Sequence, residues 1–274
     1  MIYLLKIFFC INIIALINLQ YCYSQNNDVT NIQTSFDHKI KVGEEYTYLV
    51  KYAFMNLGEV KTKIFARENL NGKTIYKAIA NIDSYEGLPI VTLHQTFESW
   101  FDSTLHPVYF QTLLFDETDT SYTKYFFEKD NQIHVIKGIL GNTESLLDTT
   151  VEVSGQFYDG LTLLYAARFN FDLLDSIALQ CYVAEDTSTS LINYYHKKER
   201  ISIEAVDYEI SCLRLDGESN FTGVFGLTGY FEGWFSDDKQ RVPLSADLQV
   251  MIGNITVELI DWKNEEWQPP VYKD

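Results

Sequence analysis

Residues 229–262 constrain the fold more than any other stretch of the chain. Val242, Leu244, Ala246, Leu248, Val250 and Ile252 hold every second position, and Ser245, Asp247 and Gln249 fall between them. A repeat of two puts the apolar side chains on one face of a β-strand and the polar ones on the other. Asp237-Asp238-Lys239-Gln240 interrupts the run on one side and Gly253-Asn254 on the other. These residue types accept turn geometry, so the stretch predicts three strands joined by two turns.

The same period recurs upstream. Tyr46, Tyr48, Val50, Tyr52 and Phe54 alternate, Gly58 starts a return, and Asn71-Gly72 is a strong two-residue hairpin signal. Further strands are predicted at 74–82, 90–101, 108–115, 122–128, 133–137, 177–184, 191–196, 201–204 and 208–215. The pattern changes once: Leu161, Leu164, Tyr165 and Arg168 recur at three- and four-residue intervals behind Asp159, a capping residue, which predicts one short helix. The resulting fold class is all-β, a strongly curved antiparallel sheet or half-open barrel of roughly a dozen strands, because a sheet of that width twists and curls. The helix is expected on the concave side as a lid or plug, and the domain spans 43–265, between a flexible lead-in at 25–42 and a C-terminal tail at 266–274.

Trp234, Phe235, Ser236, Asp238, Arg241, Pro243, Gly253 and Ile255 follow a pattern of Trp-Phe-Ser-x-Asp, x-x-Arg-x-Pro and Gly-x-Ile. With Val42-Gly43-Glu44-Glu45-Tyr46, the Asp-x-x-Leu-x-Pro at 102–107, and Tyr158-Asp159-Gly160-Leu161-Thr162 leading to Tyr165 and Arg168, the chain resembles the bacterial exported family called domain of unknown function 3108. That resemblance implies an exported β-rich protein and brings no activity. On this pattern Asp159, Arg168, Asp238, Arg241 and Pro243 are expected to be structural, with Asp238 and Arg241 fixing their turn through hydrogen bonds to backbone or to each other.

Residues 1–24 carry one charge, Lys6, then an uncharged run at 7–19 and small residues Cys22 and Ser24 before Gln25. This is the layout of a signal peptide, and Asn12, Asn18 and Gln20 break the run too early for a membrane span. Acylation at Cys22 is the rival reading, and Tyr21 stands against it where a small residue is wanted. The protein is expected to be soluble in the periplasm or outside the cell. After cleavage it has 38 acidic side chains and, without Lys6, 20 of its 21 basic ones, a net charge of −18, which argues against nucleic acid as a partner. Cys181 and Cys212 remain; in an oxidising compartment they could bridge neighbouring strands, or stay as two buried thiols.

His38, His94, His106, His134 and His196 are scattered with no metal-ligand spacing, so no metal and no cofactor are expected. Neither a nucleophile elbow nor a phosphate loop occurs, and no enzyme activity is expected. What the chain has in excess is aromatic residues, 19 Tyr, 18 Phe and 4 Trp. At strand spacing these are ordinarily core. The alternative is a curved sheet that leaves a cavity for a lipid or other apolar small molecule, with Tyr46, Tyr48, Tyr52, Phe54, Trp100, Leu164 and Trp234 as candidate lining residues. The rival function is an envelope protein-interaction or structural module whose sheet is filled by its own side chains.

Overall fold

The structure, a computed structural model, describes residues 34–88, 92–128, 131–219, 227–250 and 253–273. The expected signal peptide, residues 25–33 of the lead-in, Ile90 and Ile252 lie outside them. From Ser35 onward the described residues form one compact unit.

The first half of the chain supplies β1 (Glu45–Tyr52), β2 (Met55–Leu70), β3 (Lys73–Ser84), β4 (His94–Asp102), β5 (Pro107–Phe115), β6 (Thr120–Phe127), β7 (Gln132–Ile139) and β8 (Leu147–Glu152). A single described helix, α1 (Gly160–Phe169), follows. The second half supplies β9 (Ser176–Val183), β10 (Asp186–Ile201), β11 (Ile210–Ser219), β12 (Leu227–Ser236), β13 (Pro243–Val250) and β14 (Gly253–Lys263). All fourteen strands belong to one antiparallel sheet, in which the two meanders join where β1 pairs with β14 and leave β8 and β9 as edges. The connection between those edges contains α1.

The edges approach each other without pairing. Across the seam Tyr125 of β6 and Lys137 of β7 both donate to the Glu185 carboxylate in the β9–β10 turn, at 2.7 and 2.6 Å. The Tyr125 ring meets Tyr182 of β9 edge-on, with centroids 5.1 Å apart. The result is a half-open barrel held at its gap by side chains. Strand β8, exposed along most of its length, was not expected from the sequence, and the strand expected at 201–204 is the end of β10 followed by irregular chain.

Local chemistry explains the turns. Asn71 and Gly72 both have positive φ (52° and 83°), as a mirror-image two-residue turn requires, and the Gly72 N–H donates to the Asn69 side chain. Gly253 and Asn254, expected to form a turn, belong instead to β14, opposite Val250 and Gln249.

Both terminal expectations are corrected. Residues 34–42 do not form a flexible lead-in: Phe36 and Ile40, four apart, are buried, Phe36 stacks on Phe169 at 5.8 Å, and Lys39 Nζ donates to the Phe169 carbonyl. The segment covers the C-terminal end of α1, where carbonyls lack intrahelical donors. Nor is 266–273 a loose tail. Trp267 is buried, its Nε1 donates to Asp238 Oδ2 at 2.8 Å, and Ser211 donates its backbone N–H to the Pro270 carbonyl.

Candidate functional site

Helix α1 starts where Asp159 can cap it. Asp159 Oδ1 accepts from the N–H groups of Leu161 and Thr162, both at 2.8 Å, while Thr162 Oγ1 accepts from the Asp159 N–H. These bonds satisfy donors that the first helical turn leaves open. The other carboxylate oxygen accepts from Ser99 of β4 at 2.5 Å, tying the helix to the concave face. Burial pushes the Asp159 carboxyl up to about 6 against these hydrogen bonds.

Arg168, near the other end of α1, is buried and makes a bidentate pair with Glu44, Nη1 to Oε1 at 2.7 Å and Nη2 to Oε2 at 3.1 Å. Its Nε donates to the Gln240 carbonyl in the β12–β13 turn. That turn is held by the residues expected to hold it. Asp238 Oδ1 accepts from the N–H groups of Gln240 and Arg241, and Ser236 Oγ accepts from the Val242 N–H. Arg241 does not bond Asp238 through its side chain; it donates to the Ser236 carbonyl and to Asp172 beyond α1. Asp238 and Arg241 therefore serve the turn separately, one from inside and one by fastening it to the helix connection.

Between α1 and the concave faces of β1, β2, β3, β13 and β14 lies an apolar cavity of about 320 Å³. Tyr48 and Val50, Val60, Ile82, Leu248 and Val257 form much of its wall, and Leu164 closes it from the helix. Pro243, the first residue of β13, lies at its inner end, where a much smaller cleft continues toward Glu44, Tyr46 and Arg168. Gly58 belongs to the wall because a Cβ there would sit 2.2 Å from the Asp83 carbonyl oxygen; its absence lets β2 and β3 lie close.

Of the seven candidate lining residues, Tyr48 and Leu164 line this cavity. Tyr46 lies just beyond its inner end, its hydroxyl bonded to Glu44 and Asn264 and pushed up to about 12, chiefly by burial. Tyr52 packs at the opposite end against Leu57, Val250 and Ile255. The other three are corrections. Phe54 lies past the end of β1 beside Ala53, whose φ is 52°, and is 94% exposed: the turn removes it from the strand's face. Trp100 alternates with the buried Ser99 and Phe101, so it faces outward, with the Lys77 ammonium 3.9 Å over its ring. Trp234, opposite Arg214 and Ser245, also faces outward and donates to Glu199. Sequence reasoning missed Val50, Leu57, Val60, Ile82, Ile255 and Val257 as lining; the available signal was their period of two on strands that also carry small residues.

Cys181 and Cys212 are thiols and form no disulfide. Strand β10 separates β9 from β11, a spacing of roughly 9–10 Å that exceeds the reach of a disulfide. Burial pushes both thiols up to about 12. Among the described residues no group of acidic, histidine or cysteine side chains could hold a metal ion, and no helix is long and apolar enough to cross a membrane.

The model of the family described as "Protein of unknown function (DUF3108)" matches residues 47–260, and the chain belongs to that family. No curated protein matches it. Among solved structures it is similar to a β-barrel-like protein of domain of unknown function DUF1849 from Brucella abortus, with a TM-score of 0.51 and 6% identity, covering 85% of this chain and 99% of that one. It is also similar to a protein of Parabacteroides distasonis ATCC 8503 described as a candidate lipoprotein (TM-score 0.34, 10% identity, 81% and 96% covered). A candidate exported protein with a YmcC-like fold from Bacteroides fragilis NCTC 9343 gives 0.33, at 8% identity with 82% and 97% covered. The first of these agrees with the barrel-like fold; none assigns an activity.

Proposed function

We propose that this member of the DUF3108 family is an exported, non-enzymatic binding protein that holds a lipid or other apolar molecule inside its curved sheet. The observation that carries the reading is the apolar cavity of about 320 Å³ between Leu164 and the concave face of β1–β3, β13 and β14. Its volume falls at the low end of small-molecule sites, about 300–1,000 Å³. Side chains with the reach to fill it are present elsewhere in the barrel, whereas here, Tyr48 apart, the wall is mostly Val, Leu, Ile, Ala and Gly. Each methylene moved from water into such a wall contributes about 0.8 kcal/mol. A tail of about ten methylenes would therefore offset an association cost of about 4–15 kcal/mol only in part of that range, which favours reversible holding. Export is supported by the signal-peptide layout of 1–24.

Native mass spectrometry of the protein purified from its own envelope tests the reading, together with uptake of the neutral fluorophore N-phenyl-1-naphthylamine by the ligand-stripped protein. The expected result is a co-purifying added mass and a fluorescence gain that Leu248→Asp, placed in the cavity wall, abolishes. Absence of both the added mass and the gain would sink the binding reading and leave the protein-interaction module as the better account.

A further inference from the structure

The inner end of the cavity is where its chemistry changes. Tyr48 and Thr62 border both the apolar cavity and the small cleft that leads to the Arg168–Glu44 pair. Tyr48 is 7% exposed and Thr62 8% exposed, and neither hydroxyl makes a hydrogen bond within the described residues. An unpaired hydroxyl in an apolar wall costs stability unless something bonds to it. Burial raises the Tyr48 phenol well above its ordinary value, so it stands in the cavity as an uncharged donor.

The cations nearby are committed. Arg168 gives two of its nitrogens to Glu44 and the third to the Gln240 carbonyl. Lys63, at the rim of the cleft, pairs with Glu45 at 3.2 Å. The two charged residues of the cavity wall among the described ones, Glu59 and Asp83, lie opposite each other on β2 and β3 and alternate with the inward Val60 and Ile82, so they contribute backbone to the wall while their carboxylates point outward. On that outer face Glu59 accepts from the Tyr85 hydroxyl and Asp83 from His94. A carboxylate or phosphate group placed at the inner end would lose its hydration and meet no open cation.

We infer that the cavity selects apolar molecules carrying an uncharged oxygen, such as a long-chain alcohol, ester or ketone, and that the Tyr48 and Thr62 hydroxyls bond that oxygen while anionic amphiphiles are disfavoured. This rests on the binding reading above and adds the ligand's chemical class. Each hydroxyl supplies a hydrogen bond that an alkane-like wall lacks.

The test is displacement of N-phenyl-1-naphthylamine from the mature protein at pH 8 by 1-decanol, methyl decanoate and decanoate. The alcohol and the ester are expected to displace the probe at concentrations roughly tenfold or more below the carboxylate. Tyr48→Phe and Thr62→Val, which remove a hydroxyl and keep the shape, are each expected to weaken 1-decanol by roughly fivefold, the effect of about one hydrogen bond, each midpoint being corrected for the probe's affinity measured on that variant. Decanoate displacing as well as decanol would overturn the inference, and so would an unchanged decanol midpoint in both variants. Either result leaves the binding reading standing. No uptake of the probe by the wild-type protein defeats that reading and the inference with it.

Discussion

On one side of α1, Tyr165 and Phe169 join a run of rings: Tyr76 stacks on Phe101 at 6.2 Å, Phe101 meets Tyr165 at 5.5 Å, Tyr165 stacks on Phe169 at 6.0 Å and Phe169 on Phe36 at 5.8 Å. On the other side Leu164 borders the cavity. One helix and one continuous sheet thus enclose a packed region and a hollow one. The backbone geometry is shared, so the difference lies in side-chain reach. Where β3 and β4 present Tyr76 and Phe101 the gap to the helix is filled. Where β1, β2 and β14 present Val50, Gly58, Val60 and Val257 it stays open. The hollow side is also the side bordered by the buried Arg168–Glu44 pair, which anchors the helix end that aliphatic packing there does not. A barrel can be stabilised on one flank and left available on the other.

The largest effect that could break this comparison is at Phe101, which has no exposed surface. Phe101→Ala should destabilise by about 3–5 kcal/mol, because it loses both transfer free energy and ring contacts on two sides. Chemical denaturation midpoints measure it; a loss under about 2 kcal/mol would mean that the ring-filled side relaxes easily and is not a rigid flank.

The second effect is a pH dependence placed on the packed side, where Asp159 caps α1 against Ser99. Its carboxyl is raised from 3.8 to about 6 by burial, so the folded protein holds the proton more tightly than the unfolded chain does. Its contribution to stability is then fully present below about pH 3.8 and is lost as pH rises through about 6. The difference amounts to at most about 3 kcal/mol. Asp159→Asn keeps a side chain that caps about as well and cannot ionise. The stability difference between Asp159→Asn and wild type should therefore drift in favour of the variant between pH 4 and 6 and level off above that. A difference that stays constant across this window would show that the cap's hydrogen bonds hold the carboxylate ionised despite burial.

The strands of the hollow side were legible from the period of two in β1 and β13, and the cap and helix from Asp159 and the spacing of Leu161, Leu164, Tyr165 and Arg168. What a period of two does not carry is which face curls inward once the sheet closes on itself. Trp100 and Trp234 are strand residues as read, yet both fall on the convex face. Size also misled: large aromatics suggested a cavity, whereas apart from Tyr48 they fill space elsewhere, and the wall is mostly made of smaller aliphatics. Glu44 and Arg168 are 124 residues apart, and no local pattern joins them; only the pairing of β1 with β2 and the return of α1 across the barrel does.

The smallest effect sharpens the comparison most, because it is read beside the largest. Leu164 sits on the same helix as Tyr165, one residue away, and is half-buried with a void in front of it. Leu164→Ala removes a side chain that already lacks neighbours on one side, so fewer contacts are lost and no new enclosed cavity is created. The expected loss is about 1 kcal/mol, against the several kcal/mol of Phe101→Ala at the packed flank. The same substitution enlarges the hollow side and removes its cover, so uptake of N-phenyl-1-naphthylamine should change severalfold while the denaturation midpoint scarcely moves. A loss at Leu164 comparable to that at Phe101 would mean that the two faces of α1 are packed alike in solution and that the cavity closes when empty. A small loss with altered uptake is the behaviour of a helix that serves as core on one face and as lid on the other.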